Sequence, residues 1–134
     1  MPLESDGAVW PMMLVTTGSR PLGLEVGQLL ATAKWFAKTT GQHTIRLQTE
    51  GIRSQIVALM AAALEPDLFS DIASNDVLQS LGDLLDGPLV FRTAPDLFCL
   101  DLYKYFDIDR LQALAAPARI EMGQKATLLA PKPQ

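Results

Sequence analysis

Among its 134 residues this sequence has one cysteine and one histidine. With only Cys99, an intrachain disulfide and a cysteine-rich metal site are both excluded, and the redox compartment stays open. With only His43, a histidine-rich metal centre is excluded, and any Ser-His-acid mechanism must run through that one residue. Cations are in deficit as well. The net charge of −4 argues against nucleic acid as a partner, because phosphate binding needs a surplus of Lys and Arg. No apolar run approaches the roughly 18–20 residues of a membrane span, so no membrane partner is expected. The opening Met1–Gly7 has neither the basic nor the apolar region of a secretory signal. No cofactor fingerprint is present either.

What is there is ordinary globular material, 49% hydrophobic and 19% charged, enough for one domain over residues 1–134 with a single core. Residues 1–11 and 130–134 are expected to be loosely ordered. The run Met12–Thr17, closed by Gly18, reads as a buried strand. Leu22, Val26, Leu29, Leu30, Ala33, Trp35 and Phe36 then recur at helical spacing up to about Thr40, with Gly41 as the stop. His43–Thr49 alternates like a strand. Gln55–Leu64 reads as a helix with a small apolar face, ended by Pro66. Leu68–Ala73 gives a third strand. A helix near Val77–Leu85, another from Pro95 to about Phe106 and a third over Leu111–Ala115 follow, and Ala118–Met122 is a fourth strand. This order predicts an α/β fold, a three-layer sandwich around a small, mostly parallel sheet of about four strands. Residues 76–117 would form a helical, cap-like insertion.

These residues also suggest a family. The helix RPLGLEVGQLLATAKWF, a strand ending in Glu50-Gly51, a helix closing with AAALEP and the stretch APDLFCLDLYKYFDIDRLQALAAP together resemble the middle of an α/β-hydrolase. Acetyl-xylan-esterase-like proteins are the nearest likeness, over Leu14 to about Met122. The resemblance implies a partial α/β-hydrolase fold, but not its chemistry. An active member presents Gly-x-Ser-x-Gly in a strained turn. With Gly51 as the first glycine, Arg53 falls at the nucleophile and Gln55 at the second glycine; with Ser54 as nucleophile, Ile52 and Ile56 occupy the two small positions. The family's acid follows the strand matching Arg119–Met122, yet no Asp or Glu follows Glu121, and no histidine follows His43. The resemblance also implies a strand missing between the first two. The expectation is that Met12–Thr17 pairs directly with Thr44–Thr49 in a four-stranded, flavodoxin-like sheet, with homodimerisation through a sheet edge as the fallback.

Small-molecule sites in open α/β sheets lie beyond the carboxyl ends of the strands. Two turns there supply Gly, Ser and Arg at a helix start, making Ser19, Arg20, Arg53 and Ser54 candidates for a small anion or nucleotide. Neither turn matches a P-loop or a dinucleotide fingerprint. Glu50 beside Arg53 reads as an ion pair fixing the turn. Asp96, Asp101, Asp107 and Asp109 lack calcium-loop spacing, so no metal site is assigned. Trp35 and Phe36 are expected in the core, and Phe98, Cys99, Leu102, Tyr103, Tyr105 and Phe106 form an apolar surface suited to protein contact. The expected role is therefore a non-catalytic, structural or interaction domain, contacting the rest of a longer chain or a second copy. The alternatives are a carbohydrate-ester hydrolase completed outside this chain, with Ser54 as its nucleophile, and an anion-binding module.

Overall fold

The computed structural model describes residues 9–87 and 94–126. Three strands, β1 (Ile45–Glu50), β2 (Phe69–Asn75) and β3 (Arg119–Met122), form one parallel sheet in the order β1-β2-β3. The main helices are α1 (Val9–Thr16), α2 (Pro21–Thr40), α3 (Ile52–Leu64) and α6 (Ile108–Leu114), with the short α4 (Asp83–Asp86) and α5 (Leu100–Tyr103) between β2 and β3. The chain is thus α/β with a small open sheet.

The core lies on one face of that sheet. Along β1, Ile45 and Thr49 are buried and Leu47 half-buried, while Arg46, Gln48 and Glu50 are exposed. Register places Leu47, Ile72 and Ile120 in one row and Arg46, Asp71 and Arg119 in another. Successive side chains of a strand point to opposite faces, so the first row faces the helices and the second faces away. α3 packs on β1 and β2, flanked by α2 on one side and α6 on the other. Its middle, Gln55 to Ala62, is buried on nearly every side, as expected for a helix enclosed by two others and a sheet. The alanines Ala58, Ala61 and Ala62, each fully buried, let the neighbours come close. Among the described residues the helices form a layer on one face of the sheet and the outer face carries a polar row, an arrangement compatible with a three-layer sandwich.

Four expectations need correction. Met12–Thr17 is not a strand: Met12–Thr16 belongs to the helix α1 and Thr17 to the turn after it, so direct pairing with β1 does not occur, and the described sheet has three strands rather than about four. Pro11 suits the first turn of a helix and would be barred from a strand interior. Met12, Met13 and Leu14, none of them branched at Cβ, favour a helix, and the Thr16 and Thr17 hydroxyls donate back to the carbonyls of Met13 and Leu14. Residues 9–11, expected to be loose, are part of the same helix; 1–8 and 130–134 lie outside the described residues.

Second, no helix spans Val77–Leu85. The N–H of Val77 donates to the Gln124 carbonyl at 3.0 Å and its carbonyl accepts from the Ala126 N–H at 2.8 Å, extending the β2–β3 pairing past the named strands. Only Asp83–Asp86 remains helical. Third, the helix expected from Pro95 to Phe106 is broken into a 3-10 turn, Pro95–Leu97, and α5, while residues 88–93 of the cap-like region lie outside the described residues. Fourth, Trp35 and Phe36 are not core residues, being 65% and 43% exposed. The buried stripe of α2 runs Leu22, Val26, Ala33, and residues two or three positions beyond Ala33 sit on its flank or opposite side.

Candidate functional site

The turn after β1 is built around Gly51. Its φ of +90° lies where a side chain is rarely tolerated, and its N–H donates to the Asn75 carbonyl at 3.0 Å. That bond turns the chain out of the sheet and directly into α3. Arg53 and Ser54 consequently fall in the first turn of the helix rather than in a strained elbow. The Ser54 hydroxyl donates to the carbonyls of Glu50 and Gly51, the latter at 3.0 Å. No histidine is at hand to activate it, because His43 is exposed and precedes β1 at the amino end of the strands.

Arg53 does not pair with Glu50, as the sequence suggests, but with Asp96 from the turn that Pro95 opens. The guanidinium grips the carboxylate with two bonds, Nη2 to Oδ1 at 2.9 Å and Nε to Oδ2. Asp96 is 7% exposed, and that bidentate bond holds the guanidinium above its ordinary pKa. Glu25 of α2 completes the cluster. Burial raises its carboxyl pKa first, the Asp96 charge adds to this and Arg53 opposes it. Its Oε2 has no hydrogen-bond partner among the described residues.

The sign of the Glu25 effect sets a prediction. A carboxyl whose folded pKa is raised keeps its proton in the folded state after the unfolded chain has lost it, so stability falls as pH climbs from the ordinary 4.5 to the raised value. Glu25→Gln is therefore expected to raise Tm at neutral pH by about 2 °C, the shift that a fraction of a kcal/mol gives a domain of this size. The gain should disappear in acid below that window, and differential scanning calorimetry at the two pH values checks it.

The other turn, between α1 and α2, places Ser19 and Arg20 beside the same region. The Ser19 N–H donates to the Leu14 carbonyl at 2.9 Å, and Arg20 pairs with Asp101 at 2.9 Å. Two shallow grooves flank α1 here. One is lined by Met12, Val15, Arg20 and Phe98, the other by Trp10, Leu24, Glu25 and Arg53, and Asp96 borders both. The structure thus brings the four anion candidates to one end of the molecule, but each arginine already carries a carboxylate. With Glu25, Glu50 and Asp96 around Arg53, the local charge repels an anion.

Beyond β2 and β3, the remaining turn residues are likewise engaged with each other. The Thr49 hydroxyl donates to the Ser74 hydroxyl at 2.8 Å, the Gln124 N–H donates to the Asn75 Oδ1 at 3.0 Å, and the Gly123 N–H donates to the Ser74 carbonyl at 2.7 Å. Gly123 passes so close that a β-carbon there would meet the Asn75 Oδ1 at 2.6 Å. Among the described residues no three metal-ligating side chains converge, and no helix is long and apolar enough to cross a membrane. Sequence reasoning missed Glu25 altogether and gave Arg53 the wrong partner. The available signal for the latter was Pro95, which forces a turn immediately before Asp96.

The fold and this end of it define an open parallel α/β scaffold with a closed ion-pair cluster at the carboxyl edge. No family model, curated protein or solved structure matches the chain.

Proposed function

We propose that the chain is a non-catalytic α/β-hydrolase-like domain, a fragment or degenerate relative of an acetyl-xylan-esterase-like protein, whose role is structural or interactive. The carrying observation is a contrast between its two kinds of surface. Every candidate reactive group at the turn is already engaged: Ser54 with main-chain carbonyls, Arg53 with Asp96 and Arg20 with Asp101. The apolar groups nearby are not. α1 has no buried residue at all, and Trp10 and Met13 are 66% and 55% exposed, with Val9, Met12 and Val15 close behind. A contiguous apolar surface of this kind marks an interaction site on a folded protein, and a protruding tryptophan is a common anchor of one. The family element rests on the strand–glycine–helix turn at Glu50–Ile52 and on the parallel β-α-β connection that follows it.

A chromogenic acetyl ester supplies the test. The protein and its Ser54→Ala variant are expected to hydrolyse it at the same rate as buffer, since a serine bonded to main-chain carbonyls and lacking a base is not activated. Turnover that vanishes in Ser54→Ala would overturn the reading in favour of the ester hydrolase.

A further inference from the structure

The geometry points to β1 as a self-pairing edge: two copies of this chain join antiparallel through β1 into one continuous sheet of six strands. This goes beyond the proposed role and concerns a different surface from α1. Main-chain direction alternates along a strand. The Gly51 N–H points to β2, where it bonds Asn75, so the main-chain groups of Thr49 and Leu47 point there too. Those of Arg46, Gln48 and Glu50 point outward, and among the described residues no strand lies on that side. The side chains of the same three residues lie on the exposed face. A two-fold axis through Gln48 therefore does three things at once. Gln48 exchanges both main-chain bonds with its own mate. Arg46 exchanges bonds with the second copy's Glu50, and the reciprocal pair forms on the other side. The Glu50 carbonyl, which already accepts from Ser54, has a second lone pair for this.

Charge is what selects a second copy as the occupant. In an antiparallel pair, residues directly opposite share a face, and opposite charges there are favourable. The Arg46–Gln48–Glu50 pattern changes sign about its centre, so the two-fold axis sets each guanidinium against a carboxylate; the Arg46 Nε already lies 3.6 Å from Asp71, a long and exposed contact that leaves its other donors for the second copy. An edge protected from association would carry charges that repel their own image. β3, the other edge, does not offer this. The Gly123 N–H bonds to Ser74, so its outward groups belong to Ile120 and Met122, whose side chains face the core row.

Sedimentation equilibrium and light scattering test the pairing on the full chain. The expected result is a dimer whose Kd rises about tenfold or more in Arg46→Glu and again in Glu50→Arg, because two favourable pairs become like-charge contacts in each. The doubly exchanged Arg46→Glu/Glu50→Arg chain should dimerise as the parent does. Gln48→Pro should abolish the dimer while circular dichroism stays that of the parent, since an edge proline whose N–H position faces outward leaves the β1–β2 ladder intact. A monomer at every concentration up to about 1 mM, or a dimer indifferent to Arg46→Glu, overturns the inference. Neither result bears on ester hydrolysis, so its failure is distinguishable from failure of the proposed function.

Discussion

Gln55→Leu is expected to lower the unfolding free energy by about 3 kcal/mol, because two main-chain groups in the core lose the partners they have among the described residues. Gln55 is fully buried in α3. Its Nε2 donates to the Leu78 carbonyl at 2.9 Å, and its Oε1 accepts from the Leu78 N–H at 2.8 Å. One side chain thus does for Leu78 what a neighbouring strand would do, and it ties α3 to the segment leaving β2. Leucine has similar volume and no polar atoms, so the buried N–H and carbonyl of Leu78 would be stranded together. Glutamate should fail as well, since it presents an oxygen to the carbonyl. Urea unfolding measures the loss; a change below about 1 kcal/mol would mean that water reaches Leu78.

Asp107→Ala has the second large effect, about 2–3 kcal/mol, combining a lost helix cap with two lost bonds to an ionised acceptor. Asp107 Oδ1 accepts from the N–H groups of Leu81 at 2.6 Å and Ile108 at 2.7 Å, and Oδ2 accepts from the Ser80 hydroxyl at 2.7 Å. It starts α6 and pins the 80–82 turn to it. Burial alone would raise its pKa, but the three donors outweigh burial and lower it below the ordinary 3.8. A depressed carboxyl contributes stability that is complete at neutral pH and is lost as pH falls below that value. The cost of Asp107→Ala should therefore be full near neutrality and shrink in acid, as pH falls below the ordinary 3.8. Urea titrations of parent and variant at both pH values separate this from a simple packing defect, whose cost would not depend on pH.

The periodic parts of the fold were legible, and for a simple reason. α2, α6 and the three strands each bury a side-chain stripe with the period of their own secondary structure, and α3 is a long apolar run ended by Pro66, so apolar patterning located them to within a few residues. Only the structure selects Asp107, although Asp107 and Asp109 were equally legible as caps of the helix over Leu111–Ala115. The region after β2 was not. Val77 and Leu78 look like the start of a helix, yet their main-chain groups are claimed by Gln124, Ala126 and Gln55, partners that no local pattern announces. The Met12–Thr17 run misled for a related reason: a short apolar segment fits a strand or a helix equally, and Pro11 was the deciding residue. At the candidate site the turn itself was legible from Gly51, while the contact between Arg53 and Asp96 spans 43 positions and depends on the tertiary fold.

Gly123 works as a gauge for the whole sheet. The slot beneath Asn75 is tight: a β-carbon at Gly123 would meet the Asn75 Oδ1 at 2.6 Å and the Ser74 carbonyl at 3.1 Å, so a side chain enters only if Asn75 swings aside and gives up its bond to the Gln124 N–H. If β3 slid along β2 by one position, Met122 or Gln124 would enter that slot; by two, Glu121 or Lys125 would. The two-residue slip is the dangerous one, because it keeps every apolar group on its proper face and hydrophobic burial alone would scarcely resist it. Crowding at this single point, with the Asn75 bond that a side chain would displace, works against both errors, including the one that apolar burial scarcely resists.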